Sequence, residues 1–372
     1  MKDREAVLLR PSLGRTLFFV AIAAMSLVAI DSTLAKTERL ETAAQAARFY
    51  GEGQRLVRDG KYAAAAESFR SAIANARDNT EYPLALGRAL LGAGQLEDAG
   101  TALAELLKAD AMAGAPNLEM ARVLAKQGQL EEAAFYYHRA IYGQWGQDAN
   151  ANRVATRFEL ADLLAKRNSK ADLLAELLPL QDQASIDANT QKKLAGLYLT
   201  AGSPARAATI LRDLVRAQPQ DVEAHSGLGD AEFARADYAA AQSAFVAALR
   251  LSPNDTHVQS ALELTDRVLI LDPMRRGLSG QERYERSVHV LELVAAKIPQ
   301  CITAAQATAD ADLINAVNAA LKQRVAVPGQ TDAVEANVDL ANKLWQAERT
   351  TCASAVSPED QPLQLVLAKA AQ

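Results

Sequence analysis

The sequence predicts an all-α protein made of stacked helical pairs, because one local pattern returns at a fixed interval of 34 residues. Gly60, Gly94 and Gly128 each precede a tyrosine or leucine two positions later and an alanine five positions later. Hydrophobic residues make up 49% of the chain and aromatic residues only 5%, a balance that suits close helix packing. The formal net charge of −5 argues against a nucleic-acid-binding protein, which would carry a basic face.

The glycine register extends to six repeats when the glycine is placed at position 15 of each unit. The first three repeats then begin at Ala46, Thr80 and Gly114. A stretch rich in glycine and asparagine interrupts the period and leaves an insertion at residues 148–153. Three further repeats begin near Val154, Ala188 and Val222, so the array is predicted to span residues 46–255.

The turn positions of the last three repeats are Asn168, Gly202 and Ala236. Asparagine tolerates a left-handed backbone almost as well as glycine does. Alanine tolerates it poorly, so the neighbouring Asp237 is an alternative site for the last turn. Small residues at Ala65, Ala99 and Ala133 are predicted to let the two helices of a pair approach closely.

This pattern resembles the tetratricopeptide repeat family. The sixth repeat carries the family pattern most fully, in Leu228-Gly229, Ala241, Phe245, Ala248 and Pro253. The resemblance implies a right-handed superhelix of antiparallel helix pairs whose concave groove, lined by the first helix of each repeat, binds protein segments. The lysine and asparagine pattern of chaperone-binding members is absent, so binding of a chaperone tail is not expected.

Residues 1–35 are predicted to be a signal peptide or an N-terminal membrane anchor. Basic residues precede an apolar run from Leu17 to Ile30, which fits a signal-peptide core and is short for a membrane-spanning helix of about 20 residues. Thr33-Leu34-Ala35 offers a cleavage site. Both alternatives place the repeats outside a bacterial inner membrane, either free in the periplasm or anchored, by the positive-inside rule.

Residues 256–372 are predicted to form a helical capping domain. Ser279 and Glu282 have the spacing of a capping box, and Ser357-Pro358 is predicted to open the last helix. Cys301 and Cys352 end helices that reach the same pole, so a disulfide between them is predicted. Two buried free thiols are the alternative, because no CxxC spacing or nearby histidine favours a catalytic or metal-binding pair.

The family's groove positions 2, 5, 9 and 12 map to a predicted peptide-binding set. The set consists of Tyr50, Gln54, Leu84, Arg88, Leu118, Arg122, Phe158, Asp162, Lys192, Asp230 and Phe233. Arg88 and Arg122 occupy the same repeat position, and arginine can hold a carboxylate through two parallel hydrogen bonds. A partner segment with acidic and apolar side chains is therefore predicted, and simple packing or solvation of the groove is the alternative.

The sequence predicts a non-catalytic protein–protein interaction scaffold of the bacterial envelope. No metal-ligand spacing, phosphate loop or nucleophile elbow is present, so no enzyme activity, metal or cofactor is predicted. The expected partner is a protein or peptide, with the membrane added if the N-terminal segment is uncleaved. Two alternatives remain, namely self-association and a ligand-binding or enzymatic C-terminal domain built on Arg275, Glu282 and Arg286.

Trp145 is predicted to tuck over the neighbouring repeat, or else to mark an interface.

Overall fold

The computed structural model describes residues 10–183, 187–297, 311–322, 331–352 and 356–371. Across these ranges the chain forms helices joined by short turns, and the only β-type pairing described is an isolated bridge between Ala113 and Gln144. The chain divides into two compact units, which we call unit 1 (Met1–Leu163) and unit 2 (Leu164–Gln372). The predicted all-α class of tandem helical pairs is confirmed.

In the described part of the chain, twelve helices follow the order of the six predicted repeats, with two helices for each repeat. They are α1 (Arg10–Arg58) and α2 (Tyr62–Asn75), α3 (Glu81–Gly92) and α4 (Leu96–Ala109), α5 (Gly114–Lys126) and α6 (Leu130–Tyr142), α7 (Ala149–Lys166) and α8 (Lys170–Gln183), α9 (Ala188–Thr200) and α10 (Pro204–Ala217), and α11 (Val222–Ala234) and α12 (Tyr238–Leu251). Among the described residues five more helices follow, α13 (Thr256–Leu271), α14 (Gly280–Ala295), α15 (Ala311–Lys322), α16 (Thr331–Cys352) and α17 (Gln361–Ala370).

Small residues set the distance between the two helices of a pair. Ala65, Ala99 and Ala133 are fully buried, as the 34-residue pattern predicts. One close fit is at Gly53, where an added Cβ would lie 2.5 Å from Cε1 of Phe69. No side chain larger than hydrogen fits there without moving the ring, so the backbone of α1 lies directly against Phe69 of α2 at this crossing.

All six predicted turn positions adopt the left-handed backbone. Their φ angles are +73° at Gly60, +77° at Gly94, +80° at Gly128, +56° at Asn168, +74° at Gly202 and +57° at Ala236. Ala236 itself therefore carries the last turn, and the alternative that placed it on Asp237 is wrong. Asp237 instead caps α12, where its Oδ1 accepts a hydrogen bond from the Ala240 N–H at 3.2 Å.

Helix α1 joins the predicted N-terminal segment to the first repeat without a break over 49 residues. Its large hydrophobic side chains between Leu17 and Leu40 are 39–69% exposed, and Ala46 is its first residue described as buried. The span Leu17–Arg58 contains an 18-residue window of mean hydropathy 2.1 that is 0% buried. Length and composition thus allow this helix to cross a membrane, a test that a signal sequence also passes.

Ser279 and Ser357 lie at or just before the start of two C-terminal helices. The Ser279–Glu282 capping box is present, with the Ser279 N–H donating to Glu282 Oε2 at 2.8 Å and the Glu282 N–H donating to Ser279 Oγ at 3.2 Å. The last helix begins at Gln361, so its predicted start at Ser357-Pro358 is wrong. Ser357 forms a turn ahead of it, in which its Oγ donates to Asp360 Oδ2 at 2.8 Å.

The C-terminal helix α17 packs on α13, far from its neighbours in sequence. Leu363, Val366 and Leu367 of α17 share one core with Val268 and Leu269 of α13. At the edge of this core, Lys369 Nζ lies 2.7 Å from Oδ2 of Asp272, whose side chain is 2% exposed. The paired lysine compensates the cost of burying that carboxylate.

The predicted disulfide lies outside the described residues. Cys301 falls in the gap between residues 297 and 311, and only the helical backbone of Cys352 is described. The pairing of the two cysteines stays a prediction.

Replacing Ala236 with glycine should raise the free energy of unfolding by about 1 kcal/mol, because glycine adopts the left-handed conformation without a Cβ clash. Urea unfolding followed by circular dichroism measures the change. The matched control is Ala239→Gly, in the exposed first turn of α12, which should destabilise by up to about 1 kcal/mol. Equal destabilisation by both changes would contradict the account of this turn.

Candidate functional site

The candidate site of unit 1 is the side formed by the first helices of its repeats, residues 46–58 of α1 together with α3, α5 and α7. We call this the first-helix face. Four charged side chains cross it as an ion ladder made of Arg88, Glu119, Arg122 and Glu159. Arg88 Nε donates to Glu119 Oε1 at 2.7 Å, and Arg122 Nη1 donates to the same oxygen at 2.9 Å. Arg122 then holds Glu159 at two points, through Nε at 2.9 Å and Nη2 at 2.6 Å.

The ladder follows from the repeat register. Each arginine stands at position 9 of its repeat, and each glutamate stands at position 6 of the following repeat. The two partners are 31 residues apart in the pair Arg88–Glu119 and 37 apart in the pair Arg122–Glu159, where the insertion lengthens the period. Arginine at position 9 thus meets glutamate at position 6 across neighbouring first helices, which fixes their relative register.

The middle of the ladder is strongly desolvated. The Glu119 side chain is only 2% exposed, so its charge depends on the two arginines that it accepts from. The bidentate hydrogen bonds to Glu159 raise the pKa of Arg122, against the opposing effect of burial. Tyr137 Oη donates to Glu159 Oε2 at 3.3 Å, and burial raises the pKa of this phenol.

The two predicted carboxylate-binding arginines therefore differ. Arg122 uses Nε, Nη1 and Nη2 on glutamates of its own chain. Among the contacts of the described residues, Arg88 donates through Nε alone, and its side chain is 51% exposed. The sequence alone could not separate them, because both occupy position 9 and the glutamate partners lie more than 30 residues away.

Most apolar members of the predicted set pack into the core of unit 1. Tyr50 stacks on Phe69 and Tyr82, with ring centroids 5.6 and 4.8 Å apart. Leu84 packs against the hydrophobic core, and Leu118 and Phe158 are 7% and 8% exposed. Gln54 is exposed and Asp162 is half-buried. The predicted apolar stripe is therefore more deeply buried than a peptide-contact surface requires.

In unit 2, two members of the predicted peptide-binding set, Lys192 and Asp230, also contact residues further along the chain. Lys192 of α9 lies 2.6 Å from Glu223 Oε2 of α11 and 3.1 Å from Asp221 Oδ2. The hydrogen bond to Glu223 raises the pKa of Lys192. Asp230 of α11 faces His257 Nε2 of α13, at 3.2 Å from both carboxylate oxygens. Burial raises the pKa of Asp230, against the lowering effect of this histidine.

Phe233, the last member of the set, stacks edge-to-face on Tyr238 with ring centroids 5.2 Å apart. It is only partly buried and packs against two hydrophobic clusters of unit 2. Its main contacts are therefore internal, as for Tyr50 in unit 1.

Trp145 tucks against its neighbouring repeat. Its Nε1 donates to the Ala140 carbonyl at 2.7 Å, and its ring covers Gly114 so closely that an added Cβ would lie 2.5 Å from the ring. Backbone hydrogen bonds hold the adjacent Gln144, whose N–H donates to Met112 O and whose carbonyl accepts from Gly114 N, both at 2.7 Å. The tuck of Trp145 was predicted, but the backbone hydrogen bonds of Gln144 to Met112 and Gly114 were not.

Two residues of the charge cluster predicted for the C-terminal domain, Glu282 and Arg286, form hydrogen bonds at the ends of helices. Glu282 belongs to the capping box, and Arg286 Nη1 donates to the Leu269 carbonyl at 2.6 Å. Arg275 has no ion pair with either of them among the described contacts. Within the described ranges no group of three or more His, Cys, Asp or Glu side chains is placed to hold a metal ion.

Comparison with known proteins identifies the repeats. The tetratricopeptide repeat family matches residues 56–115 and again residues 193–256. Superkiller complex protein 3 from Mus musculus is 29% identical over 211 residues, and its Homo sapiens counterpart is 28% identical over 211 residues. Each alignment covers 53% of this chain and 13% of the relative, so the chain spans a small part of the length of these relatives.

Solved structures with weak overall similarity include YrrB, described as a TPR protein with an unusual peptide-binding site. It is 16% identical with a TM-score of 0.44, and the match covers 53% of this chain and 99% of YrrB. The C-terminal part of a TPR repeat-containing protein from Cytophaga hutchinsonii is 11% identical with a TM-score of 0.45, covering 84% of this chain and 98% of that one.

Replacing Glu119 with glutamine should destabilise unit 1 locally by about 2 kcal/mol, because two arginines then lose their buried counter-charge. Hydrogen–deuterium exchange of peptides from α3 and α5 measures the free energy of local opening. Glu105→Gln is the matched control, since Glu105 is 67% exposed in its pair with Lys108 and should change stability by less than about 0.5 kcal/mol. Similar exchange rates in both variants would show that the ion ladder does not stabilise unit 1.

Proposed function

Because the chain is a tetratricopeptide repeat protein, we propose that it is a non-catalytic scaffold that binds a segment of a partner protein on its first-helix face. Tetratricopeptide repeat proteins generally mediate protein–protein interactions. The observation that carries the proposal is the ion ladder across α3, α5 and α7. It fixes polar side chains on one side of the array before any partner arrives.

Such prior ordering favours binding. Association costs free energy for each flexible side chain that must become ordered, roughly 0.5–1.5 kcal/mol each. Arg122 and Glu119 already have their orientations set by the four hydrogen bonds of the ion ladder. A partner segment laid across these helices therefore meets a surface that needs little rearrangement.

We further propose that the scaffold works at the outer side of a bacterial inner membrane, with α1 as its anchor. The support is the uncovered apolar side of α1, whose Leu17, Phe18 and Phe19 are 63–64% exposed. A bilayer would cover these side chains, and the helix then continues directly into the first repeat. A cleaved signal peptide is the rival proposal.

Membrane retention and intact mass separate the two proposals. If α1 is an anchor, the full-length protein should stay in the membrane fraction after alkaline carbonate extraction and keep the mass of the uncleaved chain. Replacing Phe19 and Ile22 with aspartate should release it, because a charge near the bilayer centre costs about 2.5–3.5 kcal/mol. A soluble protein shortened near Ala35 would contradict the anchor and support cleavage.

Site-specific photo-crosslinking in cells tests the binding face. A photoreactive amino acid at Gln54, an exposed position on α1, should form an adduct of defined mass with a partner protein. The same residue at Lys108, which is 71% exposed on the second helix α4, is the matched control and should not. Adducts at Lys108 alone would place the partner on the opposite side and contradict the proposal.

A further inference from the structure

The two helix layers of the first three repeats carry opposite charge. The first helices (residues 46–58, α3 and α5) hold six cations, Arg48, Arg55, Arg58, Arg88, Arg122 and Lys126, and three anions, Glu52, Glu81 and Glu119. The second helices (α2, α4 and α6) hold three cations, Arg70, Lys108 and Arg139, and six anions, Glu67, Glu97, Asp98, Glu105, Glu131 and Glu132. A chain with a net charge of −5 thus presents one locally basic layer.

Burial leaves this positive excess at the surface. Of the three anions in the first helices, Glu119 is 2% exposed on its side chain and lies between Arg88 and Arg122. Five of the six cations are exposed, and Arg122 is the exception. The charge that a partner meets on the first-helix face is therefore mainly positive.

Two of the exposed cations flank the same groove between α3 and α5. Arg88 of α3 reaches across to Glu119 of α5, and Lys126 of α5 reaches back to the Leu91 carbonyl of α3 at 3.4 Å. Among the described contacts Arg88 donates only through Nε, which leaves its two terminal nitrogens toward solvent. A planar pair of N–H groups on one helix and an ammonium on the next suit the carboxylates of an acidic segment.

We propose that this groove, which we call the α3–α5 cleft, binds acidic side chains of an extended protein segment through Arg88 and Lys126. Arg122 stays committed to Glu119 and Glu159 and makes no direct contact with the segment. The proposal rests on the scaffold function above and adds the chemistry of the partner. It also corrects the expectation that Arg88 and Arg122 act alike.

An anionic lipid surface is the rival occupant, and the length of α1 disfavours it. At 1.5 Å per residue, Arg48 lies about 27 Å beyond Ile30 along the helix, and the α3–α5 cleft belongs to a later repeat. Attraction between exposed charges fades over about 8 Å at physiological salt. In a chain anchored through α1, Arg48 of the basic layer is thus held several screening lengths beyond the end of the apolar run.

The test compares two labelled peptides of about twelve residues on the purified full-length protein in detergent. One peptide carries four aspartates and two leucines among serines, and the other has asparagine in place of aspartate. Fluorescence anisotropy should show the aspartate peptide binding at least about tenfold more tightly, with the difference shrinking between about 50 and 300 mM NaCl. Equal affinities, or no binding of either peptide, would overturn the proposal.

Single substitutions show which side chains cause the preference for the aspartate peptide. Arg88→Gln and Lys126→Gln should each remove most of the tenfold preference, while the control Lys108→Gln on α4 should leave it unchanged. Because Arg88 also neutralises Glu119, Lys126→Gln keeps the test valid if Arg88→Gln unfolds. Tighter binding to vesicles of anionic lipid than to the aspartate peptide, lost in the same variants, would assign the cleft to lipid instead.

The experiments can contradict the acidic-partner inference without contradicting the scaffold proposal. Adducts at Gln54 without any preference for aspartate would overturn the acidic-partner inference alone. Failure of crosslinking at Gln54 together with crosslinking at Lys108 would overturn the binding face itself.

Discussion

The structure depends on how closely the two helices of each repeat can approach. Fully buried alanines at Ala65, Ala99 and Ala133 allow backbone to lie against backbone, and left-handed residues such as Gly94 reverse the chain between them. Once these two requirements are met every 34 residues, the first helices of neighbouring repeats must lie side by side. The ion ladder is a consequence of that arrangement, because it joins side chains that only this stacking brings within hydrogen-bond distance.

The repetitive part of the fold could be read from sequence because its constraints are local. A left-handed backbone demands glycine or a tolerant substitute, and this placed all six turns correctly, including Asn168. Ala236 shows the limit of that reasoning. Propensity favoured moving the turn to Asp237, yet the register imposed by the neighbouring repeats keeps it on the alanine, and the aspartate serves as the cap of the next helix.

The site was less predictable, since its properties depend on contacts between distant residues. Position 9 correctly placed Arg88 and Arg122 on the first helices, but it could not tell which arginine has carboxylate partners within the chain. That distinction comes from Glu119 and Glu159, which the position rule did not select. The position rule also placed Leu118 and Phe158 in the binding groove. In the structure both side chains are buried, so little of their apolar surface can contact a partner.

Helix α13 packs on α12 through Val258, but it has a second packing partner at the far end of the chain, since α17 contributes Leu363, Val366 and Leu367 to a core shared with Val268 and Leu269. This separation matters during synthesis, which proceeds from the N-terminus. The early repeats can close as soon as each second helix emerges, because their contacts are local. The surface of α13 formed by Val268 and Leu269 must instead wait for about 90 further residues, so it stays open to chaperones while the rest of the protein is being made.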